Sequence, residues 1–226
     1  MLEKRRSIKV IVITGIDGSG KTTIAKILAH YLMSKNYRVR ILWIKSLHTL
    51  SYLIYTFFKK TWGVEYIINP NRVIVEHYMT KYMKKLGRIW VLIEYISLLP
   101  WITILNILKH TGYTIICDRY LIDFLATVSL RISNPLWWLH SILARHLLAL
   151  QMKEKTIHLN ITIETALKRR KDIEYTLKEL KTLQLLYKTI AKTVKAYNVK
   201  AEQDKLSTIK NVLKHLGLHQ NSYSKS

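Results

Sequence analysis

The chain has 226 residues with 37 Lys and Arg against 14 Asp and Glu, a formal net charge of +23. That length suits one domain able to bury roughly 70% of its unfolded surface, and 49% hydrophobic against 23% charged residues excludes an intrinsically disordered chain. Seven Gly and three Pro exclude collagen-like or low-complexity architecture, and a single cysteine, Cys117, excludes an intramolecular disulfide or a cysteine-based zinc cluster and points to a reducing cytoplasm.

The start, Met1 to Arg6, is charged and runs into an apolar stretch that stops at Thr14-Gly15, too short for a signal peptide. Ile8–Ile13 is almost continuously β-branched and apolar, the pattern of a strand covered on both faces. A loop follows from Gly15 to Thr22. Ile24, Ile27, Leu28, Tyr31 and Leu32 then recur on one helical face. Arg38–Ile44 reads as a second strand, Ser46–Lys60 as a helix and Asn69-Pro70-Asn71 as a turn. Helices are predicted over Arg72–Lys85 and Leu86–His110. Strands are predicted over Tyr113–Cys117 and Thr156–Asn160, with helices over Leu121–Ile132 and Pro135–Gln151 between them. Helical stretches Ile163–Lys171 and Ile173–Tyr197, a short strand Val199–Ala201 and a helix Leu206–Leu216 complete the order. Strands separated by helices call for an α/β three-layer sandwich, with about five parallel strands and helices on both faces. We therefore expect one domain over 1–218 and a polar tail over 219–226.

Ile89–Leu108 has the length of a spanning helix, but Glu94, Pro100 and Asn106 interrupt it. A buried helix kinked near Pro100 is the better reading, and no membrane insertion is expected.

Gly15-Ile16-Asp17-Gly18-Ser19-Gly20-Lys21-Thr22 matches G-x-x-x-x-G-K-[ST], after a strand and at the opening of a helix. In that context the glycines let backbone N–H groups point at phosphate oxygens, and the helix N-terminus favours the anion. Lys21 would reach the β- and γ-phosphates of ATP, and Thr22 would offer its hydroxyl to Mg²⁺. Asp118-Arg119-Tyr120 closes a buried strand at the sheet edge where ligands bind. Asp118 there suits Mg²⁺ held through water, and Arg119 suits a phosphate.

The loop Gly15–Thr23, followed by Asp118-Arg119-Tyr120 and then by Ile157-His158-Leu159-Asn160 with Glu164–Arg170, resembles thymidylate kinase and its relatives. The resemblance spans about residues 8–216. It implies a P-loop nucleoside monophosphate kinase fold using ATP and Mg²⁺, with Gly15 to Thr23 on ATP. Asp17 would reach the acceptor sugar hydroxyl or the metal, and Arg119 the acceptor phosphate, beside Tyr120. Gly18 and Ser19 stand where some members carry a P-loop arginine, so the catalytic cation would come from Arg169 and Arg170 in a lid over about 168–176.

The acceptor half departs from the family. Asp123 replaces a serine, no Gln or Asn follows until Asn134, and the helix before the third strand offers Arg88, Trp90, Glu94 and Tyr95. Trp90 and Tyr95 read as core rather than as a base platform. After the second strand stands Lys45-Ser46-Leu47-His48, where Lys45 is a candidate for the acceptor phosphate without a matching motif.

Basic residues are dispersed, the densest runs being Lys4-Arg5-Arg6, Lys59-Lys60, Lys84-Lys85 and Lys168–Lys171. None forms a known nucleic-acid module, although non-specific polyanion binding at low salt is expected. The expectation is a cytoplasmic enzyme that phosphorylates a nucleoside monophosphate, dTMP or a related pyrimidine deoxynucleotide, with nucleotide substrates and a second copy of the chain as partners. Three alternatives stay open: a nucleoside acceptor, an ATP-switched nucleic-acid-binding protein, and a catalytically silent paralogue.

Overall fold

The computed structural model describes residues 9–46, 48–77, 80–132, 134–202 and 204–218. The expected polar tail, the run Lys4-Arg5-Arg6, Ile8 and Leu47 lie outside the described residues.

β1 (Val10–Thr14) is buried along its whole length, as its β-branched run requires. It pairs in parallel with β5 (Thr114–Asp118) on one side and β6 (Lys155–Asn160) on the other. β2 (Val39–Leu42) extends the sheet beyond β5, and β7 (Tyr197–Lys200) extends it beyond β6. The sheet is thus five-stranded and parallel, in the order β2-β5-β1-β6-β7. β1 occupies the position where the chain switches direction across the sheet, so a crevice opens beyond its carboxyl end.

Helices cover the sheet and complete three layers. α1 (Lys21–Ser34) packs on β1, β2 and β5 and meets α10 (Lys205–Leu216). α5 (Leu121–Arg131) packs against α6 (Pro135–His140), α7 (Ile142–Gln151) and α9 (Leu177–Thr193). α8 (Ile163–Arg169) follows β6. One large apolar core runs through these layers, and a satellite of Tyr55, Met83 and Trp90 lies under α2 (Thr49–Trp62), α3 (Thr80–Leu86) and α4 (Arg88–His110).

Four local expectations are corrected. The helix expected over Arg72–Lys85 begins as β4 (Ile74–His77), paired antiparallel with β3 (Glu65–Ile68) in a hairpin around Asn69–Val73. Val73, Ile74 and Val75 are β-branched and pair across a turn, which outweighs their helical spacing. The helix over Pro135–Gln151 is two, because Ser141 caps the end of α6 and its Oγ accepts from the Ala144 N–H to start α7. α9 starts at Leu177, after a capping box in which Thr176 and Glu179 satisfy each other's backbone, and 170–176 is irregular. Strand β7 begins at Tyr197, two residues before the expected start.

α4 runs unbroken through Pro100 and is only partly buried. By length and composition it could cross a membrane. Its inner face carries Trp90, Glu94, Leu98, Ile102 and Leu105, with Glu94 paired to Arg131 at 3.4 Å.

Candidate active site

The turn after β1 is shaped by glycine at two places. Gly15 has φ 145°, and a Cβ there would stand 2.5 Å from the Leu159 carbonyl oxygen of β6. Gly18 has φ 85°, and its Cβ would meet the Ala166 backbone of α8 at 2.7 and 2.9 Å. The loop therefore lies directly on the elements beside it, as a phosphate cradle must if its N–H groups are to converge.

Lys21, the first residue of α1, is 4% exposed. Its Nζ donates to the carbonyls of Gly15 at 2.7 Å and Ile16 at 2.8 Å and lies 3.6 Å from Asp17 Oδ1. Burial, then the Arg119 charge, lowers its pKa to about 8, against the pull of Asp17, Asp123 and Asp118. The Thr22 hydroxyl donates to Asp118 Oδ2 at 2.6 Å, while the buried Asp118 Oδ1 has no hydrogen-bond partner. A carboxylate oxygen left bare beside a threonine hydroxyl fits a hard cation that takes oxygen ligands.

Asp17 is the electrostatic centre. Arg119 Nη2 donates to its Oδ1 in a short ion pair, and Arg170 Nη1 stands 3.6 Å from its Oδ2. Burial alone would raise its pKa, yet Arg119, Lys21 and Lys45 together hold it well below the usual carboxylate range. Lys45 has its own pKa lowered by burial and its Nζ 3.8 Å from Glu174.

Arg119 carries φ 82°, a left-handed conformation that costs a non-glycine residue about 1–3 kcal/mol. Three contacts hold it there: its N–H on the Ile13 carbonyl at 3.1 Å, Asp17, and Asp123 Oδ1 at 3.5 Å. Asp123 is fully buried at the base of the site. It accepts from Thr14 Oγ1 at 2.8 Å, the Tyr187 hydroxyl at 2.9 Å and the Tyr120 N–H at 3.3 Å. Burial pushes its carboxyl upward, offset by Arg119 and Lys21. The aspartate that stands where a serine was expected is therefore the anchor of the Asp118-Arg119-Tyr120 corner.

The two arginines expected in a lid separate. Arg169 is tied to the β7–α10 connection, donating to Ala201 O at 2.7 Å and Glu202 O at 3.4 Å. Arg170 faces Asp17 and is steadied by Asp172 at 3.0 Å and 3.3 Å. Both line a cavity of about 620 Å³ together with Asp17–Ile24, Arg119, Asp204 and Lys205, a size within the usual range for small-molecule sites.

Most of the residues singled out from sequence thus converge: Asp17 to Thr23, Arg119, Arg169 and Arg170 line the cavity, and Asp118 bonds Thr22. Gly15 and Ile16 turn their carbonyls to Lys21. Tyr120 packs in the core at 2% exposure and does not line the cavity. Trp90 is in the core, and the Tyr95 hydroxyl meets His146 Nδ1 at 3.0 Å. The sequence reading missed Tyr187, for which no local signal exists, and Asp172, which the alternation of acid and base after Arg170 could have suggested.

Comparison with known proteins finds the same fold in solved structures. Deoxyadenosine kinase from M. mycoides with bound dATP superposes with TM-score 0.54 at 17% identity, over 92% of this chain and 99% of that one. The same kinase with the products dCMP and a flexible dCDP gives 0.54 at 16%, over 92% and 98%. Thymidylate kinase from Ehrlichia chaffeensis gives 0.50 at 16%, over 93% and 99%. Residues 1–68 match the family model of the novel STAND NTPase 3. No curated protein matches the sequence. The chain has a fold of the P-loop deoxynucleoside and nucleotide kinase kind.

Proposed function

We propose that the chain transfers the γ-phosphoryl group of ATP to a nucleoside monophosphate, with dTMP or a related pyrimidine deoxynucleotide as the acceptor that the sequence resemblance favours. The observation that carries this reading is the crowd of cations around one carboxylate. Arg119, Lys21, Arg170 and Lys45 all act on Asp17, leaving positive charge for substrate phosphates to neutralise.

In this reading the loop N–H groups and Lys21 hold the donor phosphates. Thr22 and Asp118 would hold Mg²⁺, which supplies charge neutralisation for the β- and γ-oxygens. Arg119 and Lys45 grip the acceptor phosphate. One of its oxygens attacks the γ-phosphorus, the bond to the β–γ bridging oxygen breaks, and ADP leaves with that electron pair. Arg170 stabilises charge on the moving group from a lid over about 168–176, and Arg169 ties that lid to the β7–α10 connection.

A nucleoside acceptor is the second reading, favoured by the likeness to deoxyadenosine kinase. A sugar hydroxyl needs a base to take its proton, and Asp17, with its pKa held so low, is a weak base. An acceptor phosphate oxygen is already ionised and needs none. The discriminating experiment measures kcat/KM for ATP consumption with thymidine and with dTMP at elevated salt. A preference for dTMP supports the proposal. A preference for the nucleoside moves the assignment to the second reading, and ATP hydrolysis indifferent to either acceptor points to the NTPase matched by residues 1–68.

A further inference from the structure

The turn Asn69-Pro70-Asn71 stands apart from the sheet, yet its two amide side chains reach about a hundred residues along the chain. Asn69 is 3% exposed and uses its full hydrogen-bonding capacity. Its Oδ1 accepts from the N–H groups of Asn71 at 2.9 Å and Val73 at 3.0 Å, which fixes the turn. Its Nδ2 donates to the carbonyls of Lys171 at 2.7 Å and Ile173 at 3.0 Å. Asn71 Nδ2 donates to Leu167 O and Arg170 O, both at 3.1 Å, and to Lys171 O at 3.3 Å.

These acceptors are not arbitrary. α8 ends at Arg169, and the last carbonyls of a helix have no partner within it. Asn71 supplies that missing donor from a distant hairpin, at the turn where Arg170 leaves the helix. The hairpin itself is braced. Glu76 of β4 accepts from Lys59 Nζ on α2 at 2.8 and 2.9 Å and from the Tyr55 hydroxyl. His77 of β4 meets Glu179 of α9 at 3.0 Å. A chain of hydrogen bonds thus runs from α2 through the hairpin to the backbone on both sides of Arg170.

We propose that Asn69 and Asn71 are positioning residues, which hold the 167–173 backbone so that Arg170 stands over Asp17 before substrate arrives. The proposal rests on the reading of Arg170 as the cation of phosphoryl transfer. Its first consequence, a lid ordered by the hairpin in the free protein, stands independently of that reading.

The test uses Asn71→Asp, at a partly exposed position, and Asn69→Asp, which keeps the turn acceptor. Each exchanges the donating amide for a carboxylate that faces carbonyls. Amide exchange at Arg170, whose N–H bonds the Ala166 carbonyl at 3.0 Å, should quicken by about 20-fold in the free full-length protein, the equivalent of two hydrogen bonds of ordinary net strength. With ATP and dTMP, kcat should fall about 10- to 30-fold while KM for ATP stays within about 3-fold. In an Arg170→Ala background the same Asn71→Asp change should lower kcat by less than about 3-fold, because the residue it positions is gone. Exchange unchanged from wild type overturns the proposal, whether or not the wild type turns over. An equal kcat loss in both backgrounds also overturns it, since a general structural role would not depend on Arg170. If the wild type phosphorylates neither dTMP nor thymidine, the kinase reading fails and the exchange result alone decides whether the hairpin holds the lid.

Discussion

In the proposed reading, the donor and acceptor halves of the cleft are built in opposite ways. The donor half is contiguous: β1, the loop and the first turn of α1 place Gly15 to Thr23 in one short segment, and only Asp118 comes from elsewhere. The proposed acceptor half is collected from Lys45 after β2, Arg119 and the 170–176 stretch, the last bonded to the β3–β4 hairpin, through contacts between residues far apart in the chain. A segment that makes its own contacts tolerates change around it. A site gathered from distant segments fails when any one support is withdrawn, because each ordered loop must offset its own conformational entropy.

The largest expected effect is in the donor half. Lys21→Ala removes the lysine that the proposal places on the donor phosphates and should lower ATP-dependent turnover by at least about 10³-fold. The fold should survive, since Asp17 keeps Arg119 and Arg170 as partners when the lysine is removed. Circular dichroism and an ADP-release assay measure both, and undiminished turnover in the folded variant would break the reading of this half. In the acceptor half, Arg170→Ala should lower kcat by about 10²-fold with little change in KM for ATP. Arg169→Ala, which removes a cation from the cavity lining along with its ties to Ala201 and Glu202, should act mainly on KM for ATP. Equal losses in kcat from both would erase the division of labour between them.

Gly18→Ala tests how closely the donor loop lies on α8. The added Cβ would sit 2.7 Å from the Ala166 oxygen at a positive φ, so unfolding stability should fall by about 2–3 kcal/mol, seen as a lower Tm. A Tm equal to wild type would mean that the loop is not seated against the helix. Titration should move both halves more gently. Lys21, with a pKa of about 8, loses its charge as pH rises through that value, so KM for ATP should climb by up to about tenfold per pH unit above it. Lys21→Arg should flatten that rise.

The smallest effect concerns the latch between His77 and Glu179, with Glu65 also facing the imidazole at 3.8 Å. The Glu179 hydrogen bond raises the His77 pKa above 6.5, so its stabilisation is complete below 6.5 and is lost as pH rises through the folded value. Burial works to raise the Glu179 pKa, but the His77 hydrogen bond and the Thr176 cap bring it below 4.5. That contribution is complete above 4.5 and is lost as pH falls through the folded value. The latch should therefore be strongest between about 4.5 and 6.5 and contribute about 1 kcal/mol. Urea unfolding of wild type and His77→Gln across pH 4–9 measures it, and parallel pH profiles would show that the pair contributes nothing.

Sequence alone determined the elements whose signal is both local and unopposed. The unbroken β-branched run of β1, the loop with its three glycines and the strand ending in Asp118 were legible because each carries its signal within a few residues. The order of strands and helices then left the parallel sheet as the economical arrangement. Some local signals were present and unread: Thr176 with Glu179 is a capping box, and Ser141 is a helix cap within an apolar stretch. The assembled fold alone sets how Asp123 anchors Arg119, that Tyr187 braces Asp123, that Arg169 and Arg170 face different partners, and that Asn69 and Asn71 reach the 167–173 backbone. These choices rest on hydrogen bonds and ion pairs between residues many positions apart. A buried polar group must find some partner, but its sequence neighbours do not say which one, because the partner is set by which elements the core brings side by side.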